Sequence, residues 1–124
     1  EPLYQQALEL RKELLGQKHP DVATSLNNLA GLYYSQGRYE QAEPLYQQAL
    51  ELKKELLGPK HPSVATSLNN LALLYASQGR YEQAAPLYEQ ALEIADRVLG
   101  PGHPNTIQIA SNLDDLRQQY QLSE

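Results

Sequence analysis

The sequence predicts an all-α solenoid of six antiparallel helices, and three observations carry that prediction. The first is a repeat. Residues 1–42 recur at 43–84 with five changes, Arg11/Lys53, Gln17/Pro59, Asp21/Ser63, Gly31/Leu73 and Tyr34/Ala76. A looser third copy occupies 85–124 and keeps its register through His103, Pro104 and Asn112. A period of this size marks stacked supersecondary units, none of which can bury its apolar face alone. The second observation is a 3.6-residue apolar periodicity in every segment. The third is punctuation, with Gly and Pro recurring where one helix must stop and the next begin.

Taken in order, the first helix spans 2–15 and carries Leu3, Tyr4, Ala7 and Leu8. The second spans 20–36. Its Val22, Leu26, Leu29, Ala30 and Tyr33 lie at i, i+4, i+7, i+8 and i+11, which is one face of a helix. Pro20 fits its first turn, where a missing N–H costs little. Gly37 ends it, free to take the positive φ of a helix terminator. The third helix, 39–57, places Ala42, Leu45, Tyr46, Ala49, Leu50, Leu56 and Leu57 on its apolar face and closes at Gly58 and Pro59. The same two patterns return at 62–78 and 81–99, and the first of them again at 104–121. With the 20–36 type named A and the 39–57 type B, the order is B-A-B-A-B-A. Pro44 conflicts with its setting inside a B helix, as does Pro86 in the next, because each removes a backbone donor. The expectation is a continuous helix with a slight bend, or a later start.

Composition removes several classes of function. The net charge of -5 is mild, and the ten basic residues form no phosphate-tracking stripe, which argues against nucleic acid. No apolar run approaches the ~18 residues of a membrane span, and no secretory leader is visible. Retention in the cytoplasm is the resulting expectation. Cysteine and Met are both absent. The chain opens inside a repeat pattern, which reads as a piece of a longer protein. All aromatic residues are Tyr, at repeat-related places such as Tyr4/Tyr46/Tyr88, which suggests packing positions.

Leu26, Leu29, Ala30, Tyr33, Gly37, Tyr39, Ala42, Tyr46 and Ala49 resemble the tetratricopeptide signature, with Leu26 where Trp is common. The 42-residue period exceeds the usual one of about 34, and the excess falls between Ala49 and the next A helix. This longer form is similar to the repeats of kinesin light chains. The resemblance covers nearly the whole chain. It implies one right-handed tetratricopeptide-repeat domain over 1–124, with repeat copies 1–42, 43–84 and 85–124 and a C-terminal capping helix at 104–121. Asp114 and Arg117 stand in that helix where the other copies have Ala and Tyr, which reads as a solvated end cap. At the opposite end the first helix has no A helix before it, so an exposed apolar strip prone to self-association is expected there.

In that family the A helices line a concave face that binds proteins. The inward positions carried over to this chain are Thr24, Asn27, Asn28, Gly31, Tyr34 and Ser35, then Thr66, Asn69, Asn70, Leu73, Ala76 and Ser77. In the capping helix they are Gln108, Ser111, Asn112, Asp115, Gln118 and Gln119. Asn recurs in register at 28, 70 and 112 although it is a poor mid-helix residue. Its amide both donates and accepts, so a row of them suits the backbone of an extended peptide. The alternative is that these amides bond neighbouring helices and hold the solenoid together. Two of the five copy differences, Gly31/Leu73 and Tyr34/Ala76, fall on the same face and suggest side-chain pockets that vary along it. No Lys or Arg occupies these positions, which argues against a clamp for terminal carboxylates.

The candidate peptide-binding set is therefore Asn27, Asn28, Gly31, Tyr34, Ser35, Thr66, Asn69, Asn70, Leu73, Ser77 and Asn112. No catalytic set emerges, because the Ser residues lack a His or Asp partner at plausible reach and no Gly-rich phosphate loop is present. His19, His61 and His103 recur singly in separate loops. They read as residues leading into Pro at helix starts and not as a metal site, whose ligands must converge on one ion. No cofactor is implied. The function expected is protein–protein interaction through an extended peptide segment, with a structural or self-associating repeat spacer, engineered from consensus repeats in one version, as the rival.

Overall fold

A computed structural model describes residues 2–15 and 19–120. Its helices are α1 (Pro2–Leu15), α2 (Pro20–Ser35), α3 (Tyr39–Leu57), α4 (Pro62–Ser77), α5 (Tyr81–Val98) and α6 (Pro104–Tyr120), with no strand among the described residues. The ends match the sequence expectation to within a residue because local chemistry sets them.

At the starts of α2, α4 and α6 the recurring His is a helix cap. Nδ1 of His19 accepts the Asp21 N–H at 3.1 Å, that of His61 the Ser63 N–H at 3.0 Å, and that of His103 the Asn105 N–H at 3.1 Å. The first N–H groups of a helix have no partner within it. An imidazole nitrogen fills the role that Ser, Asp or Asn usually takes. Pro follows each His at the first helical position, where no donor is needed.

The joints between α2 and α3 and between α4 and α5 are alike. Gly37 adopts φ 76° and Gly79 φ 77°. The Arg38 N–H then donates to Tyr33 O and the Arg80 N–H to Tyr75 O, both at 2.8 Å. These bonds satisfy carbonyls that the helix end would leave open. Each arginine also lays its guanidinium over the ring of the same tyrosine, at 4.6 Å for Arg38 on Tyr33 and 4.3 Å for Arg80 on Tyr75. Pro44 does not delay α3, which runs unbroken from Tyr39; α5 likewise runs through Pro86. Each proline removes a single backbone donor, and packing further along the helix outweighs that loss.

The chain divides into two compact units, 1–59 and 60–124. In the first, α2 packs against both α1 and α3. Val22, Leu26, Leu29, Ala30 and Tyr33 of α2 are buried, with Leu8 of α1 and Ala42, Tyr46 and Ala49 of α3. In the second, α5 packs on α4 and α6, and α4 also meets α6. Its buried residues include Val64, Leu68, Leu71, Tyr75, Tyr88, Ala91, Ile109 and Leu113. Alanines with no exposed surface, such as Ala30, Ala42, Ala72 and Ala84, leave room for helix backbones to approach. The division falls in the loop after Leu57. It keeps α2 with α3 and α4 with α5, each pair joined by a three-residue turn, whereas the copy boundary at 42/43 lies inside α3.

Two expectations at the chain ends are corrected. Leu8 does not belong to the exposed strip of α1, being buried at 5%. Leu10 takes its place, 54% exposed beside Leu3 at 80% and Tyr4 at 47%. In α6, Asp114 is exposed as expected, but Arg117 is not freely solvated. It is half-buried and pairs with Glu89 of α5 at 2.9 Å.

Candidate functional site

In the first unit the inward set lies along α2. Asn28 and Ser35 are exposed, and Asn27, Gly31 and Tyr34 are half-buried. The Asn28 amide makes no hydrogen bond to another described residue. Asn27 differs, because its Oδ1 is buried with no hydrogen-bond partner. The Ser35 hydroxyl donates to Gly31 O at 3.0 Å, so only its oxygen remains to accept. A Cβ on Gly31 would lie 3.8 Å from the Tyr46 hydroxyl, which therefore sits close beneath this turn of α2. Burial pushes the Tyr46 phenol upward from its ordinary range, and the neighbouring Tyr34 adds to the shift. The Tyr34 ring leans on Tyr39, with centroids 5.5 Å apart.

In the second unit two A helices meet, and a cavity of about 260 Å³ opens where they do. Leu73, Ala76 and Ser77 of α4 form one wall, and Asn112, Asp115, Leu116 and Gln119 of α6 the other. Tyr88 of α5 also lines it. Three members of the candidate set, Leu73, Ser77 and Asn112, are thus brought together. Asn70 is half-buried and, like Asn28, makes no hydrogen bond to another described residue. Thr66 is exposed, with its hydroxyl turned to Pro62 O at 3.5 Å. Asn69 and Asn112 are engaged with each other. Asn112 Nδ2 donates to Asn69 Oδ1 at 3.2 Å, and Asn112 Oδ1 accepts from Gln108 Nε2 at 2.9 Å. This chain of amides ties α6 to α4.

Tyr88 and Leu116 line the cavity without having been singled out. Tyr88 shares its register with the packing tyrosines Tyr4 and Tyr46, and only the crossing of α5 under its neighbours brings it there. Larger clefts lie on other faces, one of about 470 Å³ at the turn of residues 79–83 and two beside A helices. One, of about 450 Å³, passes over Val22 and Leu26 in the first unit. The other, of about 660 Å³, lies between α5 and α6, where Ala110 replaces the Leu26 and Leu68 of earlier copies. Neither holds a residue of the candidate set. Among the described residues no group of three or more His, Cys, Asp and Glu could hold a metal ion, and no helix is long and apolar enough to cross a membrane.

The tetratricopeptide repeat model matches three overlapping stretches of the sequence, 1–55, 21–97 and 63–121. The chain belongs to the tetratricopeptide repeat family. Among solved structures, this tetratricopeptide chain is similar to BtubC (BKLC) from P. vanneervenii, with 31% identity, a TM-score of 0.84 and coverage of 96% of this chain and 47% of that one. It is also similar to a kinesin-light-chain protein of Podosopora anserina with nearly identical TPR-like repeats, at 27% identity and a TM-score of 0.85, covering 94% of this chain and 56% of that one. A point variant of the latter matches equally well. The chain thus spans about half the length of these relatives. No curated protein matches it significantly. The fold is the all-α tetratricopeptide solenoid type of the kinesin-light-chain-like class, and repeats of this family are protein-interaction modules.

Proposed function

We propose that this chain is a cytoplasmic binding module that takes an extended peptide segment of a partner protein along the inward faces of its A helices. The observation that carries the reading is the α4/α6 cavity, which gathers Leu73, Ser77 and Asn112 into one recess. Asn28 and Asn70, whose amides are not engaged by other described residues, capture the peptide backbone. Leu73 and the Tyr34 region contact side chains. Backbone capture by amides is tolerant of sequence, and the pockets supply selectivity.

A rival reading, a self-associating repeat, is favoured by one observation. Tyr4, Ala7 and Leu10 are exposed on α1, while their copies Tyr46, Ala49 and Leu52 in α3 are buried. Replacing Asn28 and Asn70 with Ala separates the two. The groove reading expects an unchanged or raised melting temperature, since Ala is the better helix former, and lost capture of peptides from a random display library. A lower melting temperature, with no peptide ever selected by the parent chain, supports the rival.

A further inference from the structure

Within the α4/α6 cavity the Asn112 amide is already engaged, whereas that of Gln119 makes no hydrogen bond to another described residue. Asn112 uses both ends of its side chain, donating to Asn69 and accepting from Gln108. One amide hydrogen and one lone pair remain to it, half of the capacity of a free Asn side chain. The one formally charged group on the walls is Asp115, which is exposed and forms no ion pair or hydrogen bond with another described residue. No Lys or Arg lines the recess. Around the carboxylate the walls combine Leu73, Ala76, Leu116 and Tyr88 with the neutral polar Ser77, Asn112 and Gln119. A recess with partly apolar, otherwise uncharged walls and a single carboxylate complements one kind of protein side chain, an aliphatic stem ending in a cation.

We infer that the α4/α6 cavity takes a lysine or arginine side chain of the bound peptide, its stem along Leu73 and Leu116 and its cationic head on Asp115. This rests on the peptide-binding reading above and adds its selectivity. The net charge of -5 works in the same direction, raising the encounter rate with basic segments at low salt. A peptide bearing Glu at that position is disfavoured, since it would bring two carboxylates together with no cation to separate them.

The test uses the whole chain against a display library of random linear dodecapeptides, followed by anisotropy measurements on the selected sequences. The expected result is enrichment of Lys or Arg at one position. Affinity should fall about tenfold in Asp115→Asn, the scale of one charge-assisted hydrogen bond. It should also fall when the enriched cation is replaced by norleucine, with little further loss when both changes are combined. Melting curves of Asp115→Asn, a surface change, serve as the folding control. Selection of peptides that lack an enriched cation overturns this inference and leaves peptide binding standing. Basic peptides that bind Asp115→Asn as well as the parent also overturn it, because the charge is then read elsewhere. Failure to select any peptide overturns the binding reading itself.

Discussion

Arg117 Nη2 lies 2.9 Å from Glu89 Oε2, in the register where Gln5 Nε2 donates to the Tyr33 hydroxyl at 2.6 Å in the first copy. Two substitutions, Gln to Glu and Tyr to Arg, have replaced a neutral cross-helix bond with an ionic one while the backbone arrangement is kept. They are a matched pair. The pair is partly solvated, so its net worth is about 0.5–1 kcal/mol at low salt. Glu89→Gln or Arg117→Tyr alone should lower stability by about that amount, and the double change should recover most of it. Urea melts at low and high salt check this, since the coupling of the ionic pair should shrink with salt and that of the Gln–Tyr pair should not.

The imidazole caps carry a second expectation. His61→Ala leaves the Ser63 N–H without its side-chain acceptor and should cost about 1 kcal/mol. His61→Asn supplies a carbonyl oxygen in the same place and should cost much less. Equal losses in the two variants, read from denaturant midpoints, would count against the capping role.

Two glycines should respond with opposite signs. Gly37→Ala forces a Cβ into a φ of 76° and should destabilise by about 1 kcal/mol. Gly31 lies inside α2, and an added Cβ meets only the Tyr46 hydroxyl, at an ordinary 3.8 Å. Gly31→Ala should therefore stabilise by about 0.5–1 kcal/mol through helix propensity. Thermal melts of the two variants decide the signs.

Burial of the Tyr46 phenol raises its folded value above the unfolded value of about 10. A group raised on folding stabilises the native state fully below its unfolded value, and the contribution is lost as pH rises through the folded one. Stability should therefore decline above about pH 10, and Tyr46→Phe should flatten that decline. Absorbance at the phenolate band, taken as the difference between parent and variant, should show this one tyrosine ionising late.

The exposed apolar side chains of α1, Leu3, Tyr4 and Leu10, make the self-association reading testable by concentration. Sedimentation across a concentration series should show the parent chain growing in mass, and Leu10→Lys should hold it monomeric. A parent that remains monomeric at high concentration would remove self-association as a reading of this chain.

Much of the fold was legible in the residues because its determinants are local. A stripe such as Val22, Leu26, Leu29, Ala30 and Tyr33 announces a helix and its buried face together, and His-Pro and Gly bracket it. Less of the candidate site was legible. Leu73 and Ser77 could be placed on a common face of α4 by spacing, but Tyr88 reached their cavity only through the crossing of α5. The engagement of Asn112 with Asn69 was likewise hidden, because residues 43 positions apart meet only when α6 lies along α4.

Helix boundaries, the alternation of two helix types and the family were thus settled by the chain's own order of side chains, since capping, turn geometry and amphipathic spacing act over four or five residues. Which polar groups are spent and which stay available was decided by tertiary packing. Asn28 and Asn112 are the same residue in the same register, yet one amide makes no bond to another described residue and the other joins two helices. A hydrogen bond forms only when both partners come within about 3 Å, and that distance is set by neighbouring helices and not by the repeat.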